Sequence, residues 1–185
     1  GVVHRHVGGP HQLAAVAVAV TLVPAGIALA AIGKREDPRD VLLSTSEEHD
    51  LDNVARPITI GTSSLRRRAL LHHYLPHVKV VPMRGNVDTR VAKMKAGECD
   101  ALLLAYAGVK RMEMTALITR KLNVSTFTPA VGQGAIGITM PDGHAATGVI
   151  RELLNHADSE VAVLGERAFL RELEGGCQSA IFALG

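Results

Sequence analysis

Basic side chains recur within one to eight residues of three short apolar runs in this 185-residue sequence, and two serines accompany the first group. They are Ser63, Ser64, Arg66, Arg67 and Arg68 after the first run, Arg84 and Arg90 after the second, and Lys110 and Arg111 after the third. A guanidinium group offers two parallel N–H donors that match the two oxygens of a carboxylate or phosphate. Because such residues recur after three successive runs, the sequence predicts a ligand that carries several acidic groups.

The elements that must position these side chains are three successive βα units, which begin near residue 57. Each unit joins a short apolar run to a stretch of helical periodicity. The predicted strands cover 58–60, 78–83 and 101–105, and the predicted helices cover 65–75, 87–96 and 113–121. Consecutive βα units indicate an α/β domain with parallel strands and right-handed crossovers. Such sheets bind ligands beyond the carboxyl ends of their strands, so we expect the arginines to converge there.

The remainder of the sequence adds a short strand and two helices. A glycine turn at 132–134 leads into a strand over 136–140, and helices are expected over 147–155 and 159–173. The second helix stops at two glycines, directly before Cys177. The permissive glycine backbone would let the Cys177 thiol face a ligand, whereas a lone cysteine is commonly an ordinary buried residue. The sequence pattern leaves both interpretations open.

Composition narrows the classes of protein that the sequence fits. Twenty Lys and Arg against 18 Asp and Glu leave a net charge of only +2, and two Tyr, three Phe and no Trp offer few stacking platforms, which argues against nucleic acid binding. Two cysteines indicate a reducing, cytoplasmic compartment. Pro24 and Gly26 interrupt the uncharged stretch 13–32, so we expect no membrane span. The nine histidines show no metal-ligand spacing, and we expect no metal.

Five motifs follow one another between residues 61 and 177. They are Gly61-Thr62-Ser63-Ser64-Leu65-Arg66-Arg67, Arg84-Gly85-Asn86 with Thr89-Arg90, Ala107-Gly108-Val109-Lys110-Arg111, Ala130-Val131-Gly132-Gln133-Gly134-Ala135, and Glu166-Arg167-Ala168-Phe169-Leu170 with Leu173-Glu174-Gly175-Gly176-Cys177. Together they resemble the porphobilinogen deaminase (hydroxymethylbilane synthase) family. The segment 30–40 is a further match, and the similarity covers roughly 23–180.

The resemblance implies an enzyme of tetrapyrrole (heme) biosynthesis that condenses four porphobilinogen molecules into hydroxymethylbilane and releases ammonia. It also implies two periplasmic-binding-protein-like α/β domains, each a parallel or mixed sheet with helices on both faces, and a small α+β third domain. We therefore divide the chain into four predicted parts. These are a remnant of domain 1 (1–40, with 1–21 unassigned), domain 2 (41–135), a return segment to domain 1 (136–158) and the start of domain 3 (159–185).

The resemblance also assigns roles to the site residues. A covalent dipyrromethane cofactor would be joined through a thioether to Cys177 and held by Ser63, Arg66 and Arg67. The acetate and propionate groups of porphobilinogen and of the polypyrrole intermediates would be bound by Ser64, Arg84, Arg90 and Arg111. No metal, nucleic acid or membrane partner is implied, and the intact family member is expected to be a cytoplasmic monomer.

Departures from the family pattern bear on activity. The family places an Asp near the pyrrole nitrogens in a His-Ser-x-Lys-Asp-x-Pro stretch, and residues 2–6 here resemble only its opening. No carboxylate precedes Glu36, and we expect neither Asp37 nor Asp40 to reach the cleft, because both lie in a Pro-containing segment. No catalytic residue is therefore identified, and we expect a truncated or degenerate chain that does not turn over porphobilinogen. The competing interpretation is a non-catalytic α/β module that binds anions.

Overall fold

The computed structural model describes residues 16–18, 23, 25–173 and 182–185, which divide into two compact units. The first unit contains the described residues up to 36 together with 131–173 and 183–185, and the second contains 37–130 and 182. The strands are β1 (Val16–Val18), β2 (Ile27–Ile32), β3 (Asp40–Ser44), β4 (Thr59–Gly61), β5 (Lys79–Val81), β6 (Ala101–Ala105), β7 (Ile118–Lys121) and β8 (Gly137–Pro141). The helices are α1 (Leu65–Tyr74), α2 (Val87–Lys95), α3 (Tyr106–Arg111), α4 (Thr147–Leu154) and α5 (Ala157–Glu172).

The second unit is built on a five-stranded sheet in the order β5-β4-β6-β3-β7. Strand β4 runs parallel to both β5 and β6, with Ile60 opposite Val80 on one side and Ala101 on the other. Strand β3 is antiparallel to β6 and to β7. The sheet is therefore mixed, and its parallel part carries the loops in which the sequence places the first two groups of arginines.

The strand side chains of this sheet alternate between two apolar layers, as the two-residue period of a strand requires. Leu42 and Leu103 pack on one face with the α1 residues Leu70 and Leu71. On the other face, Leu43, Leu102 and their neighbours pack with side chains of α2 and α3. Because both faces carry helices, β3 and β6 are buried along their lengths, and the α/β class with a mixed sheet and helices on both faces is confirmed.

The first unit has a three-stranded antiparallel sheet in the order β1-β8-β2, with a bulge in β2 between Leu29 and Ala31. Helices α4 and α5 lie against β2. The Asn155 side chain accepts a hydrogen bond from the Ile32 backbone N–H at 2.9 Å, and the His156 N–H donates to the Ile32 carbonyl at 2.8 Å. The junction between the two helices is thereby fixed to the end of β2.

The prediction of a helix over 113–121 is wrong. Helix α3 occupies 106–111 and ends before Glu113, which has a φ of +57°, and a single 3-10 turn follows at Thr115–Leu117. The next four residues form β7, because they pair with β3 and complete the edge of the sheet. The parallel arrangement that the βα units indicate is found for β5, β4 and β6, and the sheet is mixed because β3, which precedes these units, is antiparallel to β6 and β7.

The division of the chain into four predicted parts stays a prediction. The compact unit 37–130 overlaps the expected domain 2 (41–135), and α5 groups with the first unit in the described residues. None of the described helices combines the length and apolar character needed to cross a membrane.

Candidate functional site

The loops after β4 and β5 lie side by side, which brings together the first two groups of predicted site residues. The Ser63 hydroxyl oxygen accepts a hydrogen bond from the Met83 backbone N–H at 3.0 Å, and so joins the two loops. Ser64 is the N-cap of α1, where its hydroxyl oxygen accepts from the Arg67 N–H at 3.4 Å. Both serines therefore shape the site through backbone contacts.

Arg66 and Arg67, in the first turn of α1, converge on one carboxylate, that of Asp40. Asp40 is fully buried, and the two arginines are 4% and 8% exposed. Arg67 donates from Nε and Nη2 to Asp40 Oδ1 at 3.1 and 2.8 Å. Arg66 Nη2 lies 3.0 Å from Oδ1 and 2.7 Å from Oδ2, and its Nη1 donates to the Thr128 carbonyl at 2.8 Å. The three side chains form one buried ion cluster.

The charges of this cluster do not cancel. Two guanidinium groups face one carboxylate, which leaves one formal positive charge in excess. Burial lowers the pKa of Arg66, and the negative charge of Asp40 opposes that effect. Burial also lowers the pKa of Arg90, and the positive charge of Arg67 lowers it further. The like charge of Arg90 near Arg67 makes this environment favourable for an anion.

The remaining predicted arginines of the second unit are more exposed to solvent than this cluster. Arg90 is half-buried, and its Nε donates to the Gly85 carbonyl at 2.8 Å. Arg84, in the same turn, is exposed. Arg111 is exposed as the last residue of α3. The structure thus brings Arg66, Arg67 and Arg90 into one electrostatic environment.

The sequence analysis did not predict the contact between Asp40 and the site arginines. Asp40 is the carboxylate that holds Arg66 and Arg67, whereas the expectation that it does not reach the cleft stays a prediction. The signal available in the sequence was its position directly before the apolar run Val41–Leu43, because an acid at the start of a buried strand needs a cationic partner. The sequence analysis also did not identify the Gly85 carbonyl as the acceptor for Arg90, because every residue type has a backbone carbonyl.

A second buried ion pair lies in the first unit. Arg35 donates from its two Nη atoms to the two carboxylate oxygens of Glu166, at 2.5 and 3.1 Å. Glu166 also accepts backbone N–H groups from Gly132 at 2.7 Å and from Gly185 at 2.9 Å. One carboxylate therefore ties α5 to the glycine turn at 132–134 and to the end of the described chain. Cys177 lies outside the described residues, five positions beyond the last residue of α5.

Cation ligands are not gathered anywhere in the described part of the chain, where no three His, Cys, Asp or Glu side chains form a group able to hold a metal ion. Cys99, the other cysteine, is a free and buried thiol whose pKa is raised, chiefly by burial. Its sulfur lies behind Gly61 in the sheet, so its role is packing.

Residues 18–148 match the family model of porphobilinogen deaminase, dipyrromethane cofactor binding domain. This match covers more than half of the chain. The chain belongs to the porphobilinogen deaminase family. Residues 40–130 of the described site lie within the match, while Glu166 and Cys177 lie beyond it.

Curated relatives agree with this assignment. Porphobilinogen deaminase of Desulfosudis oleivorans is 50% identical over 166 residues, which are 89% of this chain and 54% of the relative. The proteins of the same name from Cytophaga hutchinsonii and Desulforudis audaxviator are 49% and 43% identical, again over 89% of this chain and 53% of each relative. The chain thus spans about half the length of the curated relatives it matches.

Among solved structures, the chain is similar to the periplasmic VFT2 domain of Bordetella pertussis BvgS, with a TM-score of 0.42 and 12% identity over 77% of this chain and 60% of that chain. A TRAP periplasmic solute-binding protein from Pseudomonas aeruginosa with bound L-malate gives a TM-score of 0.43 and 14% identity, over 80% of this chain and 54% of that chain.

Proposed function

We propose that this chain supplies the arginine-lined, polypyrrole-binding part of a porphobilinogen deaminase, and so serves the synthesis of hydroxymethylbilane from four porphobilinogen molecules. The observation that carries the proposal is the excess positive charge of the Arg66–Asp40–Arg67 cluster, next to Arg90, in a member of this family. Porphobilinogen and its oligomers carry acetate and propionate groups at every ring. A carboxylate-rich ligand therefore suits a site in which guanidinium groups predominate.

The residues present suit a dipyrromethane cofactor. Its carboxylates match the donor set of the site, which is made of guanidinium groups and a helix N-terminus capped by Ser64. In this proposal Ser63, Arg66 and Arg67 hold the cofactor, and Cys177 is its attachment point through a thioether. When bound, the cofactor supplies the pyrrole carbon to which the first substrate unit is added. Arg84, Arg90, Arg111 and Ser64 bind the acidic groups of substrate and intermediates.

The contribution that we assign to this chain is binding and orientation. Loss of ammonia from porphobilinogen develops positive charge on a pyrrole ring, which a nearby carboxylate stabilises. The Asp40 carboxylate does not fill this role, because it is fully buried and accepts hydrogen bonds from Arg66 and Arg67. We therefore propose that the chain by itself binds acidic pyrroles without sustained turnover.

The proposal extends to location and assembly. Cys99 is a free, buried thiol in the described part of the chain, which is the state expected in a reducing compartment. We place the chain in the cytoplasm and the intact family member as a monomer. Light scattering of the purified chain at several concentrations tests the second point, and a mass that rises to twice 19.6 kDa would contradict it.

A colour reaction separates the cofactor-bearing protein from a plain anion-binding module. The purified chain is incubated with porphobilinogen or with preformed hydroxymethylbilane, desalted, and treated with an aldehyde reagent for pyrroles. We expect protein-bound colour in the wild-type chain and none in Cys177→Ala. Colour of equal intensity in both would show that the pyrrole is not attached to Cys177. Absence of colour in both, with carboxylate binding retained, would favour the non-catalytic anion-binding module.

Calorimetric titration with porphobilinogen tests the arginine assignment directly. Arg84→Ala should weaken binding by roughly 1.5–3 kcal/mol, or about 10- to 150-fold, which is the scale of a charge-assisted hydrogen bond. The matched control is Arg68→Ala, which removes an exposed arginine of α1 with the same change in net charge. Equal losses in the two variants would show that only overall charge attracts the ligand, and the site assignment would fail.

Uroporphyrin formed by cyclisation and oxidation of hydroxymethylbilane measures turnover. We expect no multiple-turnover product from the chain alone after exposure to porphobilinogen. Sustained product that disappears in Cys177→Ala would overturn the expectation that this chain binds without turning over.

A further inference from the structure

A backbone carbonyl of the turn between β5 and α2 accepts a hydrogen bond from the Arg90 side chain. Arg90 Nε donates to the Gly85 carbonyl at 2.8 Å, five residues earlier in the chain. An Nε bond fixes the plane of the guanidinium group and leaves the two Nη atoms for another acceptor. Within the described residues, no side chain or carbonyl accepts from these Nη atoms. Arg90 is thus oriented before any ligand arrives.

The side chain of Thr89 packs beside the Gly85 backbone. Gly85 has a φ of +121°, a backbone conformation that residues other than glycine rarely adopt. A Cβ at this position would lie 2.8 Å from Thr89 Cγ2 and 2.9 Å from Thr89 Cβ. The Thr89 side chain therefore occupies the space beside Gly85, and the carbonyl that holds Arg90 projects from a backbone that Thr89 supports.

Asn86 fixes Thr89 more firmly than an ordinary helix cap requires. As the N-cap of α2, Asn86 accepts the Thr89 backbone N–H on Oδ1 at 2.9 Å. The same oxygen also accepts the Thr89 hydroxyl at 2.6 Å. The hydroxyl bond fixes the rotamer of Thr89 and with it the position of Cγ2 beside Gly85. A continuous series of contacts therefore leads from Asn86 to Thr89, from Thr89 to Gly85, and from the Gly85 carbonyl to Arg90 Nε.

We propose that Thr89 is a positioning residue, which acts through Asn86 and the Gly85 carbonyl to hold the Arg90 guanidinium ready for one carboxylate of an acidic pyrrole. The identity of the ligand rests on the proposed function, whereas the orientation of Arg90 by Thr89 does not. The consequence is a lower entropic cost of binding, because the guanidinium is ordered in the free protein.

A double-mutant cycle in porphobilinogen titrations tests the inference. Thr89→Val keeps the shape and removes the hydroxyl, and we expect it to weaken binding about 3- to 10-fold. Thr89→Ser keeps the hydroxyl bond to Asn86 but removes Cγ2, so its affinity should lie between those of Thr89→Val and the wild-type chain. In an Arg90→Ala background, Thr89→Val should cost less than about 2-fold, because its effect passes through Arg90. An equal loss in both backgrounds would show a general structural effect and overturn the proposal.

A second measurement needs no ligand and separates this inference from the proposed function. The Arg90 Nε–H signal in ¹H–¹⁵N spectra, assigned by its loss in Arg90→Ala, reports the bond to Gly85. We expect its exchange with water to become about tenfold faster in Thr89→Val and to rise by a smaller factor in Thr89→Ser, which keeps the hydroxyl but lacks Cγ2. Unchanged exchange in Thr89→Val would refute the positioning role. Faster exchange in a chain that does not bind porphobilinogen would keep the positioning role and refute the proposed function.

Discussion

Asp40→Asn is the substitution that tests the buried ion cluster most directly. Asparagine keeps the size of the side chain, and its amide oxygen can still accept the Arg67 donors that reach Oδ1 at 3.1 and 2.8 Å. Two features are lost. The amide NH₂ group replaces the oxygen that lies 2.7 Å from Arg66 Nη2, so that a donor faces a donor. Two buried guanidinium groups also lose their counter-charge.

The expected cost follows from the burial of all three groups. Breaking a buried ion pair by changing one partner costs about 3–5 kcal/mol, since the remaining charge stays buried without compensation. For a chain of this length each kcal/mol shifts Tm by roughly 2–4 °C, so Tm should fall by about 6–20 °C. Urea unfolding followed by circular dichroism measures the loss, and amide hydrogen exchange in β3 and β6 locates it.

The matched control is Asp37→Asn, three residues earlier in the same segment. Asp37 bonds Arg39 at 2.7 Å and Lys121 at 3.2 Å, and both basic side chains are more than one third exposed, so the loss should stay within about 1 kcal/mol. The hydrogen bond to Arg39 holds the pKa of Asp37 below its ordinary value of 3.8. A lowered carboxyl pKa stabilises above that ordinary value, and the contribution is lost as the pH falls below it. The two variants losing equal stability at neutral pH would refute the buried-charge reasoning.

Three further substitutions test the packing and the second ion pair. Gly61→Ala should destabilise the second unit by about 1–3 kcal/mol, because a Cβ there would lie 2.9 Å from Cys99 Sγ; thermal unfolding measures this. Gly165→Ala in α5 meets no atom within 4 Å and should raise stability by roughly 0.5–1 kcal/mol in the same assay. Glu166→Gln should cost about 3–5 kcal/mol, with faster amide exchange in β2, because Arg35 would stay buried without its counter-charge.

The elements that the sequence predicted well are those whose environment is uniform along their length. The strand 101–105 is apolar throughout, and the structure places β6 at those residues, buried between two helical layers. Helices α1 and α2 begin at the predicted residues, since Ser64 and Asn86 cap them by local hydrogen bonds. Residue patterns and hydrogen bonds within about four residues were sufficient to predict these elements.

The elements that the sequence did not predict depend on pairing between distant segments. Strand β7 carries Thr119, Arg120 and Lys121, whose side chains are exposed, so its pattern resembles the surface of a helix. It is a strand because β3 offers it an unpaired edge. That edge exists only because β3 lies antiparallel beside β6. Hydrophobic periodicity shows neither the pairing of β3 with β6 nor the pairing of β7 with β3.

The same dependence explains why the buried carboxylates escaped prediction while the arginines did not. Arginines mark a site by repetition after successive strands, which the sequence displays directly. Asp40 and Arg66 are 26 residues apart, and Arg35 and Glu166 are 131 apart, so no spacing rule joins either pair. Asp40 meets Arg66 because β3 lies next to β6, which separates it from the strand that leads into α1. A carboxylate at the start of a buried strand is therefore evidence that a cation exists, and only the strand order identifies which one. Here the order selects the two arginines that the family resemblance assigns to the cofactor, and their orientation depends on an acid that ligand-based reasoning alone would omit.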